Sequence, residues 1–194
     1  MTRMGNYFFY THSMKSIILL TGLAGSGKST IAEYIVKKYG YKEFTLAEKL
    51  KELTFKILQV FSIPIESIND LYDVSKKSAY RHYIQQIGTE CMRATFGNDF
   101  WCKQVDEMIK DEPFIIISDV RFLSEEQYFK SRYNVITVKI IRDGIQTMNH
   151  QSEQEIDSIK YNYIVLNNGS IEALHKTVDT LMTVINPNVQ KSAN

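Results

Sequence analysis

Apolar residues along this chain fall into two kinds of pattern that alternate. Ile17–Leu20, Phe114–Ile117 and Tyr163–Leu166 are short, nearly continuous apolar runs, the mark of strands covered on both faces. Val135–Ile141 reads as a further strand, and Phe44–Leu46 as a very short one. Between them, apolar residues recur every three or four positions, the period of a helix with one buried face. Ile31, Ala32, Ile35, Val36 and Tyr39 make one such stripe, ended by Gly40. Another runs from Ala47 to Phe61 and stops at Ile63-Pro64. A third spans about Ala79–Phe96, with Tyr80, Ile84, Ile87 and Cys91 on its apolar face and Gln86, Glu90 and Arg93 on the other. Gly97 breaks the chain, Asn98 is expected to cap, and a helix follows from Asp99 to Lys110. Ser124 is expected to cap a short helix ending at Lys130. Ser170 is expected to cap a last helix with Ile171, Leu174, Val178, Leu181, Met182 and Ile185 in register.

Strands alternating with helices in this way predict a three-layer α/β fold with a parallel sheet of about five strands. Residues 47–110 lack strand signals and predict a helical lobe beside the sheet. One domain over 14–186 is expected, with a peripheral extension at 1–13, a lid at 142–160 and a polar tail at 187–194. The segment 62–78, with Asp70, Asp73, Lys76 and Lys77, reads as a loop with a short helical piece.

Composition narrows the function classes. The 194 residues are 44% hydrophobic and 23% charged, an ordinary globular mix that excludes whole-chain disorder. A net charge of +1 argues against a nucleic-acid or membrane binder that works by bulk electrostatics. Cys91 and Cys102 are the two cysteines, too few for a disulfide framework or a zinc set. No apolar stretch nears the ~20 residues of a bilayer span, and no leader peptide is recognisable, so a cytoplasmic location is expected.

The strongest chemical signal follows the first strand. Gly22-Leu-Ala24-Gly25-Ser26-Gly27-Lys28-Ser29 has two glycines enclosing four residues and then Lys-Ser, the spacing of a P-loop. Glycines let the backbone wrap phosphates and turn N–H groups inward, and the helix start adds its dipole. Lys28 brings a mobile charge to the β- and γ-phosphates, and Ser29 a hydroxyl to Mg²⁺. Asp119, at the end of a strand, is placed as a second handle on Mg²⁺; the plainer alternative is a turn or cap aspartate. No Asn-Lys-x-Asp guanine-reading motif is present, which argues against a GTPase. A small α/β domain with a helical insertion suits a small-molecule kinase, whose anionic acceptor needs arginines.

The sequence resembles the deoxynucleoside monophosphate kinases of phages and large DNA viruses over residues 14–186. The resemblance is carried by Ile17–Ser29, by Leu46-Ala-Glu-Lys-Leu-Lys-Glu52, by Gln85-Gln-Ile-Gly-Thr-Glu90-Cys-Met-Arg93 with Phe96-Gly-Asn-Asp-Phe-Trp101, by Ser118-Asp-Val-Arg-Phe122 followed by Glu125 or Glu126, by His150-Gln-Ser-Glu153 after Arg142, and by Tyr163–Ser170. It implies an ATP- and Mg²⁺-dependent kinase that binds nucleotides as its small-molecule partners and in which dimers occur. Gly22, Ala24, Gly25, Ser26, Gly27, Lys28, Ser29, Thr30 and Asn167 would bind ATP, with Ser29 and Asp119 toward the metal. Lys51, Gln86, Glu90, Arg93, Trp101 and Arg121 would bind the acceptor. Lys28, Asp119, Arg121 and Arg142 would serve the transfer, Arg142 as the lid arginine.

Plainer roles stand beside these. Arg93 can pair with Glu90 one turn away, Arg121 with Glu125 or Glu126, and Lys51 can be a surface lysine. Arg142 can simply close a strand, and Trp101 can be core. His150, Ser152 and Glu153 are lid candidates, His150 more readily capping or pairing than catalytic. The rival readings are a dephospho-CoA or phosphomevalonate type of P-loop kinase and a non-catalytic nucleotide-binding module.

Overall fold

A computed structural model describes residues 15–73, 75–145 and 154–186, residue 77 through its backbone alone. The expected extension and tail, together with His150, Ser152 and Glu153, lie outside the described residues.

Strand β1 (Ser16–Thr21) is the centre of the sheet, flanked by β3 (Phe114–Val120) and β4 (Asn134–Ile141), with β2 (Lys42–Phe44) and β5 (Tyr163–Leu166) at the edges. Every pairing is parallel, and Ile17 lies between Ile115 and Val135. The apolar runs are continuous because both faces are covered. Ile17 and Leu19 pack with Phe44, Ile115, Ile117, Trp101 and Phe129 on one side. Ile18 and Leu20 pack on the other with α1 (Lys28–Tyr39) and α7 (Ile171–Ile185), through Ile31, Ile35, Val178 and Met182. This is the three-layer α/β fold with a five-stranded parallel sheet that the alternating pattern predicts.

On the first face lie α2 (Ala47–Val60), α3 (Lys77–Gln85), α5 (Phe100–Met108) and α6 (Leu123–Lys130), with the short α4 (Ala94–Phe96). Ser170 caps α7 as expected, its hydroxyl accepting from Ala173 N–H at 3.3 Å. Three local expectations need correction. β2 lies two residues earlier than expected, because it pairs through Lys42 and Glu43 with Ile115 and Ile116. Asn98 does not cap α5; its carbonyl instead accepts from Arg93 at 2.6 Å. Ser124 lies inside α6, which starts at Leu123, and the Glu125 carboxylate caps it by accepting from Phe122 N–H at 3.0 Å.

The largest correction concerns the helix expected over 79–96. After α3 the chain forms a π-helix, Gln86–Arg93, before α4. Gly88 lies against α2, where a Cβ would meet Leu50 Cδ2 at 2.5 Å. Its carbonyl accepts from Trp101 Nε1 at 3.1 Å. A donor from outside satisfies that carbonyl and lets the turn widen. Five residues of α-helix turn a side chain about 140° away from its starting direction. Closing i→i+5 brings it back to the same side. Gly88 and Arg93 are therefore both buried, while Cys91, expected on the apolar face, is exposed.

Candidate active site

The phosphate loop leaves β1 at the carboxyl end of the sheet, where the strand order reverses and open α/β sheets bind ligands. Thr21 pairs with Val120, so this loop and the Arg121–Phe122 turn leave neighbouring strands side by side. Gly22 and Gly27 have φ of 144° and 103°. A Cβ on Gly22 would lie 2.4 Å from Ile140 O, and one on Gly27 2.2 Å from Asn167 Nδ2. Both positions thus exclude a side chain by conformation and by space. Asn167 donates from Nδ2 to Ser26 O at 2.8 Å and from its backbone to Ile141 O at 2.8 Å, tying the end of β5 to the loop.

Lys28 is buried and donates to Gly22 O at 2.6 Å and Leu23 O at 2.8 Å. The Ser26 hydroxyl is buried without a hydrogen-bond partner among the described residues. Ser29 is exposed and Thr30 half-buried on the first turn of α1, which carries no acid. Glycines at positive φ, a lysine, an orphan hydroxyl and a helix N-terminus without an acid in its first turn fit a polyphosphate.

Asp119 has an architectural duty. Its two oxygens accept from Leu46 N–H at 2.7 Å and Ala47 N–H at 2.9 Å, capping α2. A carboxylate has further lone pairs, so this duty is compatible with a water-mediated contact to a metal. Glu43, which no motif singles out, takes a hydrogen bond from the Ser118 hydroxyl. Burial pushes its carboxyl up; the Ser118 bond opposes this, and the charges of Asp119 and Glu33 add to it.

A second wall at this end of the sheet is built around Arg93. Its guanidinium is buried, pairs with the Glu125 carboxylate and lies 4.1 Å over the Phe122 ring. The remaining Glu125 oxygen accepts from the backbone N–H of Arg121 at 2.7 Å. Burial pushes the Glu125 carboxyl up, opposed by Arg93 and by the two backbone donors. A cleft of about 500 Å³ opens here, lined by Thr89, Glu90, Arg93, Phe122, Ser124 and Gln127 among others. The partner of Arg93 is thus Glu125, not Glu90, which is exposed at the cleft.

The other expected site residues divide. Gln86 is exposed and the Arg121 side chain half-buried. Lys51 lies 3.7 Å over the Tyr72 ring, so it packs on the 62–78 segment. Arg142 is exposed at the end of β4, on a turn where Asp143 and Asn168 exchange hydrogen bonds of 2.8 and 2.7 Å. Trp101 needs correction: it is 4% exposed, packs in the core and bonds Gly88 O, so its ring offers no face to a ligand. Sequence reasoning offers Glu125 only as one of two acids after Phe122 and as a partner for Arg121; its hold on Arg93 was missed, because the two lie 32 residues apart.

A model of the deoxynucleotide monophosphate kinase family matches residues 56–178. The chain belongs to that family. The matched span includes Arg93, Asp119, Arg121 and Glu125 and begins after the phosphate loop. A protein of Acanthamoeba polyphaga mimivirus, named provisionally as a deoxynucleotide monophosphate kinase, is 28% identical over 181 residues, which cover 84% of this chain and 93% of the relative. Among solved structures, a gluconokinase from Sinorhizobium meliloti 1021 superposes with a TM-score of 0.50 at 11% identity, covering 93% of this chain and 99% of the other. At that identity the likeness is one of fold alone. This deoxynucleotide monophosphate kinase family member carries no helix among the described residues long and apolar enough to cross a membrane. Two unlike walls stand at the carboxyl end of its sheet, a glycine loop with a lysine and a cleft with a buried arginine.

Proposed function

We propose that the protein transfers the γ-phosphoryl group of ATP to a deoxynucleoside monophosphate, giving the diphosphate and ADP. The observation that carries this is the pairing of Thr21 with Val120, which sets the phosphate loop beside the turn that holds Arg93 through Glu125. Such an enzyme must hold two anions close together, and each wall supplies cations for one of them.

Gly22, Ala24, Gly25, Ser26, Gly27, Lys28, Ser29 and Thr30 would hold the nucleotide phosphates, and Asn167 the edge of the loop under the base. Arg93 and Arg121 would orient the acceptor phosphate, with Lys51, Gln86 and Glu90 bordering it. Arg142 would meet charge that grows on the transferred group. The acceptor oxygen is already anionic, so the chain need not supply a strong base; positioning and electrostatics suffice for a loose transition state. Mg²⁺ would neutralise the β- and γ-oxygens, held by Ser29 and, through water, by Asp119.

The test is ADP release with ATP and each deoxynucleoside and ribonucleoside monophosphate in turn, alongside dephospho-CoA and phosphomevalonate. Turnover that depends on a deoxynucleoside monophosphate is expected. ATP binding without transfer to any acceptor, or preference for either of the other two compounds, overturns the assignment.

A further inference from the structure

Glu125 is 2% exposed, and its oxygens are divided between two parts of the chain. Oε1 accepts from Arg93 Nη2, on the π-helix. Oε2 accepts from Arg121 N–H at 2.7 Å and Phe122 N–H at 3.0 Å, on the turn after β3. Arg93 is held at two further points, by the Asn98 carbonyl at 2.6 Å and by the Phe122 ring at 4.1 Å. Two of its five N–H groups are spent on these bonds, which leaves donors for an anion in the cleft it lines.

We propose that Glu125 is a positioning residue for the acceptor phosphate, fixing Arg93 and the Arg121–Phe122 turn at one spacing so that they address the same anion. The proposal rests on reading this cleft as the acceptor site. The chemistry demands a carboxylate. Three N–H donors converge on two oxygens, and an amide in its place offers one oxygen and a donor that opposes the backbone N–H groups. Glutamate also spans the distance from α6 to Arg93, which a shorter acid does only in part. The π-helix supplies the other half of the device, because an α-helical turn would point Arg93 elsewhere.

The experiment compares wild type with Glu125→Gln and Glu125→Asp, by steady-state kinetics varying ATP and the monophosphate separately and by calorimetric binding of the monophosphate alone. For Glu125→Gln the acceptor KM and Kd should rise roughly 10- to 100-fold, while the KM for ATP stays within about twofold. Glu125→Asp should recover part of the loss, and it carries the same readouts if the glutamine variant does not fold. A fall in Tm with both KM values unmoved, or an equal rise in both, overturns the role of Glu125. A wild-type protein that turns over no nucleoside monophosphate overturns the function instead.

Discussion

Lys28 holds two carbonyls of its own loop, Gly22 O and Leu23 O. A polyphosphate must win that ammonium from them, and in doing so gains a charge already at the strand end. Lys28→Ala should lower turnover by about 100-fold or more, the scale of removing one preorganised electrostatic contact. The fold should persist, since each hydrogen bond lost is worth only about 1 kcal/mol net. ADP release and a thermal melt check both halves; near wild-type turnover would sink the phosphoryl-transfer reading. At this scale, residue types were legible and partners were not. Lys28 and Ser29 announce themselves by spacing. Arg93 offers Glu90 as a neighbour one turn away, yet pairs with Glu125. Local spacing proposes the near carboxylate; burial against α6 selects the distant one.

Among the elements, the π-helix is where sequence and structure part. Helical periodicity from Tyr80 to Phe96 is real, but it assumes 3.6 residues per turn throughout. The wider turn depends on Leu50 and Trp101, which approach Gly88 from α2 and α5. Gly88→Ala puts a methyl 2.5 Å from Leu50 Cδ2, and Leu50 is itself in the core. Overpacking of about 1–3 kcal/mol should outweigh the roughly 1 kcal/mol of helix propensity that alanine adds. The expected result is a lower Tm together with a raised acceptor KM, because Arg93 moves with the turn. Unchanged stability and KM would show that the close approach has no consequence.

For the whole molecule, one acid ties α1 to α7 on one face of the sheet. Asp179 Oδ1 accepts from Tyr34 OH at 2.9 Å, Tyr39 OH at 2.7 Å and Lys38 Nζ at 2.8 Å, joining the helix after the phosphate loop to the last helix. Burial works against its charge, but Lys38 and the Tyr39 and Tyr34 hydroxyls hold the carboxyl below its usual range. Burial and the Asp179 bond push the Tyr39 hydroxyl up to about 12. A carboxyl with a depressed folded pKa adds stability above its unfolded pKa and loses it as pH falls through the folded one. Asp179→Ala should therefore lower stability by roughly 1–2 kcal/mol at neutral pH. That difference should shrink below about pH 4, where the unfolded carboxyl takes up its proton. Thermal melts of both proteins from pH 3 to 8 test this, and a pH-independent gap would assign the loss to packing alone. The near-zero net charge fits the same picture: the cations of the two walls are few, local and partly paired.

By itself the sequence determined the order of strands and helices, the two-sided burial of the sheet, the phosphate loop and the family. All of these are written in periods and spacings of neighbouring residues. Tertiary structure alone decided that Asp119 caps α2, that Trp101 is core, that the helix after Gln85 widens and that Glu125 holds Arg93. Each depends on which surfaces meet when helices pack on the sheet, and a burial shared by residues far apart in the chain leaves no period to read.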